Sequence, residues 1–229
     1  MFLDDGYLLE MFTNLHYVDH CVHLDSGRSV SFKALSSSST DPDLTGQIIW
    51  PGCNLLLSYM DKNMNLFENK KCIEVGAGIA VCALLIAKYC NQSNVVATDG
   101  TDIVVDLINE NIKNEKCEGI ISSDKLKWGK NETSAYVQLH GSFDLVFGSE
   151  IAYDENCIDA LVETVSILLK PGGTFIVGHI NRYQRVTDYL MKRLDDFNMK
   201  ISEEHTWSSI MSYKMDMIEG SVYVINHKT

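Results

Sequence analysis

The sequence predicts an α/β protein built on a doubly wound, mostly parallel sheet. Short apolar runs that suit buried strands alternate with segments whose apolar residues recur at helical spacing, and this alternation is typical of such a sheet. One short predicted strand, with the apolar residues Cys72, Ile73 and Val75, leads through Gly76 and Gly78 directly into a helical segment. A separate pattern of β-rich runs and turn residues near the N-terminus predicts a hairpin outside the main sheet.

The N-terminal region is expected to add this hairpin to a larger domain. Residues 17–24 and 28–34 are β-rich, and the sequence Asp25-Ser26-Gly27 between them is a turn signal. Residues 36–43 are polar and favour a loop. We therefore assign residues 1–45 to an N-terminal extension with a β-hairpin and residues 46–229 to the main domain.

The main domain is expected to begin with a helix that Trp50 and Pro51 open, because proline fits a first helical turn. Residues 79–87 are apolar nearly all round and predict a buried helix, whereas residues 155–169 have the periodicity of an amphipathic one. The remaining predicted elements are strands at 95–97, 119–123, 143–147 and 174–178, helices at 102–114 (capped by Thr101 or Asp102) and 181–196, and a closing antiparallel pair at 199–205 and 221–226.

Composition argues against several classes of protein. The net charge is −12 and no cluster of lysine or arginine is visible, so we expect no binding to nucleic acid. No apolar run has the length of a membrane span, and the first residues lack a basic signal-peptide start. We expect a soluble cytoplasmic protein, with the nucleus as a second location. Seven cysteines without C-x-x-C spacing are typical of reduced thiols and favour neither disulfides nor a metal site.

The glycine turn and two acids indicate what kind of ligand the protein binds. Glycine lets a ligand approach the start of a helix, but Val81 occupies the third glycine position of a dinucleotide fingerprint, which disfavours NAD. Glu74 is placed to hold the loop or the cationic end of a ligand, and Asp99 follows a strand where an acid meets ribose hydroxyls. Two acids without a phosphate-binding lysine suit S-adenosylmethionine, although such turns and acids also occur in other α/β folds.

Further side chains are expected at the same edge of the sheet. Ligands of doubly wound sheets bind at the carboxyl ends of the strands, where the strand order reverses. These ends also collect Trp128, residues 149–153 and residues 179–182. An indole can lie against adenine, and its face attracts a sulfonium by about 0.5 to 2 kcal/mol. From spacing alone, Glu150 and Tyr153 fit a helix-entry acid with a packed aromatic equally well, and Trp50 fits a core position better than a ligand contact.

The motifs together resemble those of the class I (seven-β-strand) methyltransferases, and among them the protein-lysine methyltransferases related to the METTL21 group. They extend over about residues 46–180: G-Q-I-I-W-P-G (46–52), E-V-G-A-G (74–78), T-D (98–99), N-E-N-I-K-N (109–114), L-K-W-G (126–129), F-D-L-V-F-G-S-E-I-A-Y-D (143–154) and L-K-P-G-G (169–173). The resemblance implies a seven-stranded Rossmann-like sheet. With Glu74 added from the turn, the expected cofactor-binding residues are Trp50, Glu74, Gly76, Ala77, Gly78, Asp99, Trp128 and Ser149.

The same resemblance implies that Glu150 and Tyr153 are the catalytic residues at the acceptor site. Three positions depart from the family pattern: Ala80 replaces a common glycine, Lys127 replaces a common acid, and Glu150 replaces a common aspartate. The expected function is transfer of a methyl group from S-adenosylmethionine to a lysine of a protein substrate, such as a translation factor or a chaperone. The alternatives are a methyltransferase acting on a protein histidine or a small molecule, a non-catalytic cofactor-binding module and, more remotely, an NAD oxidoreductase.

Overall fold

The structure is a computed structural model, and it describes residues 16–36, 42–211 and 217–228. The strands are β1 (Tyr17–His23), β2 (Ser29–Leu35), β3 (Lys71–Val75), β4 (Asn94–Asp99), β5 (Ile121–Lys125), β6 (Phe143–Ser149), β7 (Leu169–Ile180), β8 (Met199–Met211) and β9 (Met217–His227). The helices are α1 (Pro51–Lys62), α2 (Val81–Tyr89), α3 (Asp102–Asn114), α4 (Lys130–His140), α5 (Glu155–Leu168) and α6 (Gln184–Asp196).

Seven strands form the central sheet, in the order β5-β4-β3-β6-β7-β9-β8. The five strands from β5 to β7 are parallel, and β9 pairs antiparallel with both β7 and β8. The chain runs outward from β3 to β5 and then returns to place β6 on the other side of β3. The strand order therefore reverses between β3 and β6, and the predicted doubly wound, mostly parallel sheet is confirmed.

Apolar side chains cover both faces of this sheet. Cys72 in β3 belongs to a buried cluster with residues of α1, α2 and α3, whereas Ile73 and Val75 belong to a second cluster with residues of α5 and α6. Alternation along a strand sends successive side chains to opposite faces, so this strand is buried on both sides. Among the helices of the described residues, none has the length and apolar character needed to cross a bilayer.

The predicted N-terminal hairpin is also confirmed. Strands β1 and β2 pair antiparallel as a separate two-stranded sheet, and the apolar face of β2 packs against α2 and α3. Asn111 in α3 accepts a hydrogen bond from the Lys33 N–H at 2.7 Å and donates to the Lys33 carbonyl at 3.2 Å. The same amide nitrogen donates to the Ile79 carbonyl at 3.1 Å. One buried side chain thus connects the hairpin to the segment that follows the glycine turn.

Some boundaries differ from the predictions. The polar helix α4 was not predicted, because only Thr133 and Tyr136 of its residues are buried and no apolar stripe marks it. Strand β7 begins before the Pro171-Gly172-Gly173 sequence, which lies at a register shift in its pairing with β6 rather than ahead of the strand. Thr101 holds the N-cap position of α3, but its side chain makes no capping hydrogen bond.

Candidate cofactor and acceptor site

A cavity of about 500 Å³ lies at the carboxyl ends of β3, β4 and β6. This is the edge where the strand order reverses, which is the usual ligand position in a doubly wound sheet. The cavity brings together most of the residues that the sequence singled out: Trp50, Gly76, Ala77, Gly78, Asp99, Trp128, Ser149, Glu150 and Tyr153 all line it. Its volume is within the range of sites for small molecules and cofactors.

Two positions of the turn between β3 and α2, Gly76 and Gly78, require glycine. Gly76 and Gly78 have φ angles of +60° and +55°. A Cβ atom on Gly76 would lie 2.8 Å from Ile151 Cγ2 and 3.0 Å from Trp128 Cζ2, and a Cβ on Gly78 would lie 2.8 Å from the carbonyl oxygen of Gly46. The turn therefore meets an indole on one side and a backbone carbonyl on the other, and it leaves its own backbone open to the cavity.

Asp99 ends β4 and holds the glycine turn in place. Its carboxylate accepts hydrogen bonds from the backbone N–H groups of Gly78 and Thr101, both at 3.2 Å. Burial raises the pKa of Asp99, although these backbone donors oppose the shift. The carboxylate lines the cavity from this position.

The sequence left two roles open for Glu74, holding the loop or binding the cationic end of a ligand, and its contacts fit the first. It does not line the cavity and is only 2% exposed. Its carboxyl group accepts a hydrogen bond from the Ala83 N–H at 2.9 Å, in the first turn of α2. Burial raises the pKa of Glu74 to about 8. The side chain faces the helix beneath the turn and makes no ligand-facing wall.

Trp50 lies at the rim of the cavity and not in the core. It is 37% exposed, and its indole Nε1 donates to the Thr45 carbonyl at 2.9 Å. The loop before α1 forms a wall of the cavity through Gly46 and Ile49 as well. Sequence reasoning singled out only Trp50 from this loop, although the G-Q-I-I-W-P-G motif already marked the whole segment.

Glu150 lines the same cavity, and its carboxylate is held from two sides. One carboxylate oxygen accepts the Gly52 N–H in the first turn of α1 at 2.8 Å, and the other pairs with Arg182 Nη1. The Glu150 backbone N–H donates to the Gly178 carbonyl at 2.9 Å, and its φ angle is +57°. A left-handed backbone is costly for a residue other than glycine, and such strain concentrates at functional sites. Residues 179–182 were expected at this edge, but the pairing of Arg182 with Glu150 was not foreseen.

Tyr153 stands beside Glu150 with its ring at the mouth of the cavity. The residue is 62% exposed. Partial burial of the phenol and the nearby Cys157 and Asp154 raise its pKa, so the hydroxyl keeps its proton at neutral pH. A protonated hydroxyl can both donate and accept a hydrogen bond, which suits a group that orients an amine.

The departures at Ala80 and Lys127 now have structural positions. Ala80 is the N-cap residue of α2, where its φ angle of +61° explains why glycine is common at this position. Lys127 lines the cavity next to Trp128. The departure at Ala80 concerns backbone conformation, whereas the departure at Lys127 places a different side chain in the cavity.

Comparison with known proteins agrees with this geometry. A family model described as lysine methyltransferase matches residues 33–196. The protein-lysine N-methyltransferase EFM3 of Chaetomium thermophilum is 32% identical over 158 residues, which cover 65% of this chain and 45% of that protein. Calmodulin-lysine N-methyltransferase of Arabidopsis thaliana is 30% identical over 132 residues, which cover 56% of this chain and 42% of that protein. The chain thus spans less than half the length of either relative.

Solved structures support the fold. A methyltransferase from Pyrococcus furiosus superposes with a TM-score of 0.56 at 18% sequence identity, over 75% of this chain and 82% of that chain. At this identity the likeness concerns the fold alone.

Proposed function

The chain belongs to the lysine methyltransferase family, and from this premise we propose that it transfers a methyl group from S-adenosylmethionine to a lysine side chain of a protein. The observation that carries the proposal is one cavity lined by two unlike sets of residues, which we call its two walls. One wall is the glycine turn with Asp99 and Trp128, and the other is the acid and phenol pair of Glu150 and Tyr153.

The residues at the first wall fit S-adenosylmethionine. Gly76 and Gly78 line the cavity with backbone alone, because protein atoms already crowd the positions that their Cβ atoms would take, and Asp99 offers a carboxylate to ribose hydroxyls. Trp50 and Trp128 offer aromatic faces to adenine or to the cationic sulfonium. When bound, the cofactor supplies an electrophilic methyl group.

Glu150 and Tyr153 are proposed to orient the acceptor amine. The amine must be neutral to attack, and removing the proton from free lysine (pKa about 10.4) at pH 7 costs about 4.6 kcal/mol. Desolvation and a nearby positive charge both lower the pKa of the amine. Alignment of two bound reactants supplies roughly 7 to 11 kcal/mol. A strong general base is therefore unnecessary, and hydrogen bonds from the amine to the carboxylate and the phenol suffice to aim its lone pair.

The acceptor is proposed to be a basic protein, because a net charge of −12 favours encounters with positively charged partners. Translation factors and chaperones are the first candidates. We propose a cytoplasmic location, with the nucleus as a second one, because the seven cysteines lack the spacing of disulfide pairs and are typical of reduced thiols.

We also propose residues 1–45 as an extension and residues 46–229 as the catalytic domain.

Labelled cofactor tests this function. The purified protein is incubated with isotope-labelled S-adenosylmethionine and a lysate of cells that lack it, and mass spectrometry then identifies the modified residue. We expect label on a lysine of one protein. Label on a histidine or on a metabolite would replace the acceptor in this proposal, and S-adenosylhomocysteine binding without any labelled acceptor would indicate a non-catalytic module.

The variant Glu150→Ala separates the two walls. We expect it to abolish transfer while the dissociation constant for S-adenosylhomocysteine changes less than about threefold, because the carboxylate serves the acceptor. Glu155→Ala is the matched control, since Glu155 lies outside the cavity and pairs with Arg185 at 3.3 Å. An equal loss of transfer and cofactor affinity in Glu150→Ala would assign Glu150 to the cofactor wall.

A further inference from the structure

We propose that Arg182 is a positioning residue that offsets the charge of Glu150, so that an amine bound at Glu150 gives up its proton. The inference rests on the proposed function, because it concerns the protonation state of the acceptor. It assigns a role to a residue outside the main cavity that acts through Glu150.

Arg182 and Glu150 form an ion pair, and further contacts hold both of its members in place. Arg182 lies between β7 and α6, and its guanidinium contacts one oxygen of a carboxylate whose side chain is only 7% exposed. Its Cζ atom lies 5.7 Å from the centre of the Trp50 ring, which holds the guanidinium against the rim. The other carboxylate oxygen is occupied by the Gly52 N–H at 2.8 Å. Glu150 therefore faces the cavity with a positive group already at its back.

A carboxylate without this partner would hinder the reaction. A negative charge beside an amine stabilises the ammonium form, which has no lone pair for attack. A carboxylate offers about four acceptor directions, and the two donors here leave room for an N–H of a neutral amine. The paired carboxylate can thus orient the amine without favouring its protonated form.

The proton and electron balance is complete. The acceptor ammonium first loses its proton to solvent. The nitrogen lone pair then forms the N–C bond as the C–S bond breaks, and the positive charge passes from sulfur to nitrogen. The methylated ammonium can lose a proton to solvent afterwards.

The other ionisable groups near Glu150 do not take the place of Arg182. Arg185 pairs with Glu155, and Glu219 of β9 is exposed. His179 of β7 is buried and bonded to Thr187 at 2.9 Å, and burial lowers its pKa to about 4, so it is neutral at pH 7. The remaining groups, which line the cavity or lie at the start of α5, are Asp99, Lys127, Tyr153, Asp154 and Cys157. In the described part of the chain, Arg182 is the cation that contacts the Glu150 carboxylate.

A small probe tests the inference without the substrate protein. The probe is 5′-thioadenosine whose sulfur carries a 2-(butylamino)ethyl arm, in which the secondary amine stands for the lysine nitrogen. The control compound has CH₂ in place of that nitrogen. Calorimetry in buffers of different ionisation enthalpy, repeated from pH 6 to 10, gives the protons released on binding and therefore the pKa of the bound amine.

We expect the bound amine to have a lower pKa than the free amine in the wild type, and Arg182→Gln to raise that pKa by about one unit, a tenfold change in proton affinity. Arg182→Lys should restore the wild-type value, and Arg185→Gln, the matched control, should leave it unchanged. A purely structural role would weaken binding of both compounds without moving the pKa.

The outcomes distinguish the two proposals. If S-adenosylhomocysteine does not bind the wild type, the proposed function fails and the inference fails with it. If it binds but the pKa of the bound amine is the same in the wild type and Arg182→Gln, only the inference is overturned. If Arg182→Gln does not fold, Arg182→Lys decides, because a value that departs from the wild type by a unit or more contradicts the role of the charge.

Discussion

Replacing Glu74 by glutamine should remove a large part of the pH dependence of stability. Glu74 is buried beneath the glycine turn, and its carboxyl group accepts one hydrogen bond from the Ala83 N–H. Burial raises its pKa to about 8 from an ordinary value of 4.5. Between these two values the folded protein keeps the proton and the unfolded chain does not, so unfolding releases a proton and the free energy of unfolding falls as pH rises.

The size of the effect follows from the shift. Each pH unit between about 5 and 8 lowers the free energy of unfolding of the wild type by about 1.4 kcal/mol through this group. At pH 7 the accumulated loss is about 3 kcal/mol. Glutamine cannot ionise and can still accept from Ala83, so the difference between Glu74→Gln and the wild type should grow with pH at the same rate and become constant above pH 8.

Urea unfolding followed by circular dichroism at pH 5, 6, 7, 8 and 9 measures this difference. Glu118→Gln is the control, because Glu118 is exposed and its replacement should give a curve parallel to the wild type. The raised pKa of Asp99 contributes a slope of the same sign, which remains in both variants. Parallel curves for Glu74→Gln and the wild type would refute the reasoning, because the carboxyl group would then titrate alike in the folded and unfolded states.

Two further predictions concern packing and the hairpin. A Cβ on Gly178 would lie 2.6 Å from the carbonyl oxygen of Gly52, so Gly178→Ala should lower the free energy of unfolding by about 1 to 3 kcal/mol in urea titrations. Gly100→Ala is the control: the nearest atom to its Cβ would be at 3.8 Å, and the free energy of unfolding should change by less than about 0.5 kcal/mol. Equal effects would show that the sheet accommodates the methyl group. Asp61 pairs with Arg28 at 2.8 Å, and although burial opposes ionisation, hydrogen bonds from the hairpin turn and Arg28 lower its pKa. Asp61→Asn should therefore reduce the free energy of unfolding at pH 7 by about 1 to 3 kcal/mol. This deficit should disappear as the pH falls through the pKa of Asp61 in the folded protein. A deficit that persists at pH 2 would contradict the role of the charge.

The sequence was sufficient to predict elements with a strong apolar period. The strand before the glycines, the amphipathic helix α5 and the closing antiparallel pair were all recognisable, because burial on one or two faces imposes a repeat. Helix α4 escaped because its surface is almost entirely polar and its packing depends on Thr133 and Tyr136. The predicted strand at 174–178 began too late, because β7 already includes the Pro171-Gly172-Gly173 sequence, where its pairing with β6 shifts.

The site was predictable where residue type alone limits the backbone. Gly76 and Gly78 adopt positive φ angles, which residues with side chains rarely adopt. The glycines themselves therefore indicate the turn without knowledge of distant residues. The partners of Glu150 come from segments far apart in the chain, at residues 52 and 182, and no local pattern connects them. For Glu74, the sequence showed that the residue lies next to the turn. It did not show on which face of β3 the side chain lies, and the structure places it against α2.

The bridging amide of Asn111 makes the N-terminal hairpin a structural support of the ligand edge rather than a separable appendage. Its oxygen accepts a hydrogen bond from the Lys33 N–H, and its nitrogen donates to the carbonyls of Lys33 and of Ile79, the residue directly after the second glycine. Removal of the hairpin would take away both hydrogen bonds to Lys33 and leave the bond to the Ile79 carbonyl alone of these three. The hairpin and the glycine turn are therefore coupled through Asn111, and a truncated form of the chain that starts at the main sheet should have a less stable glycine turn.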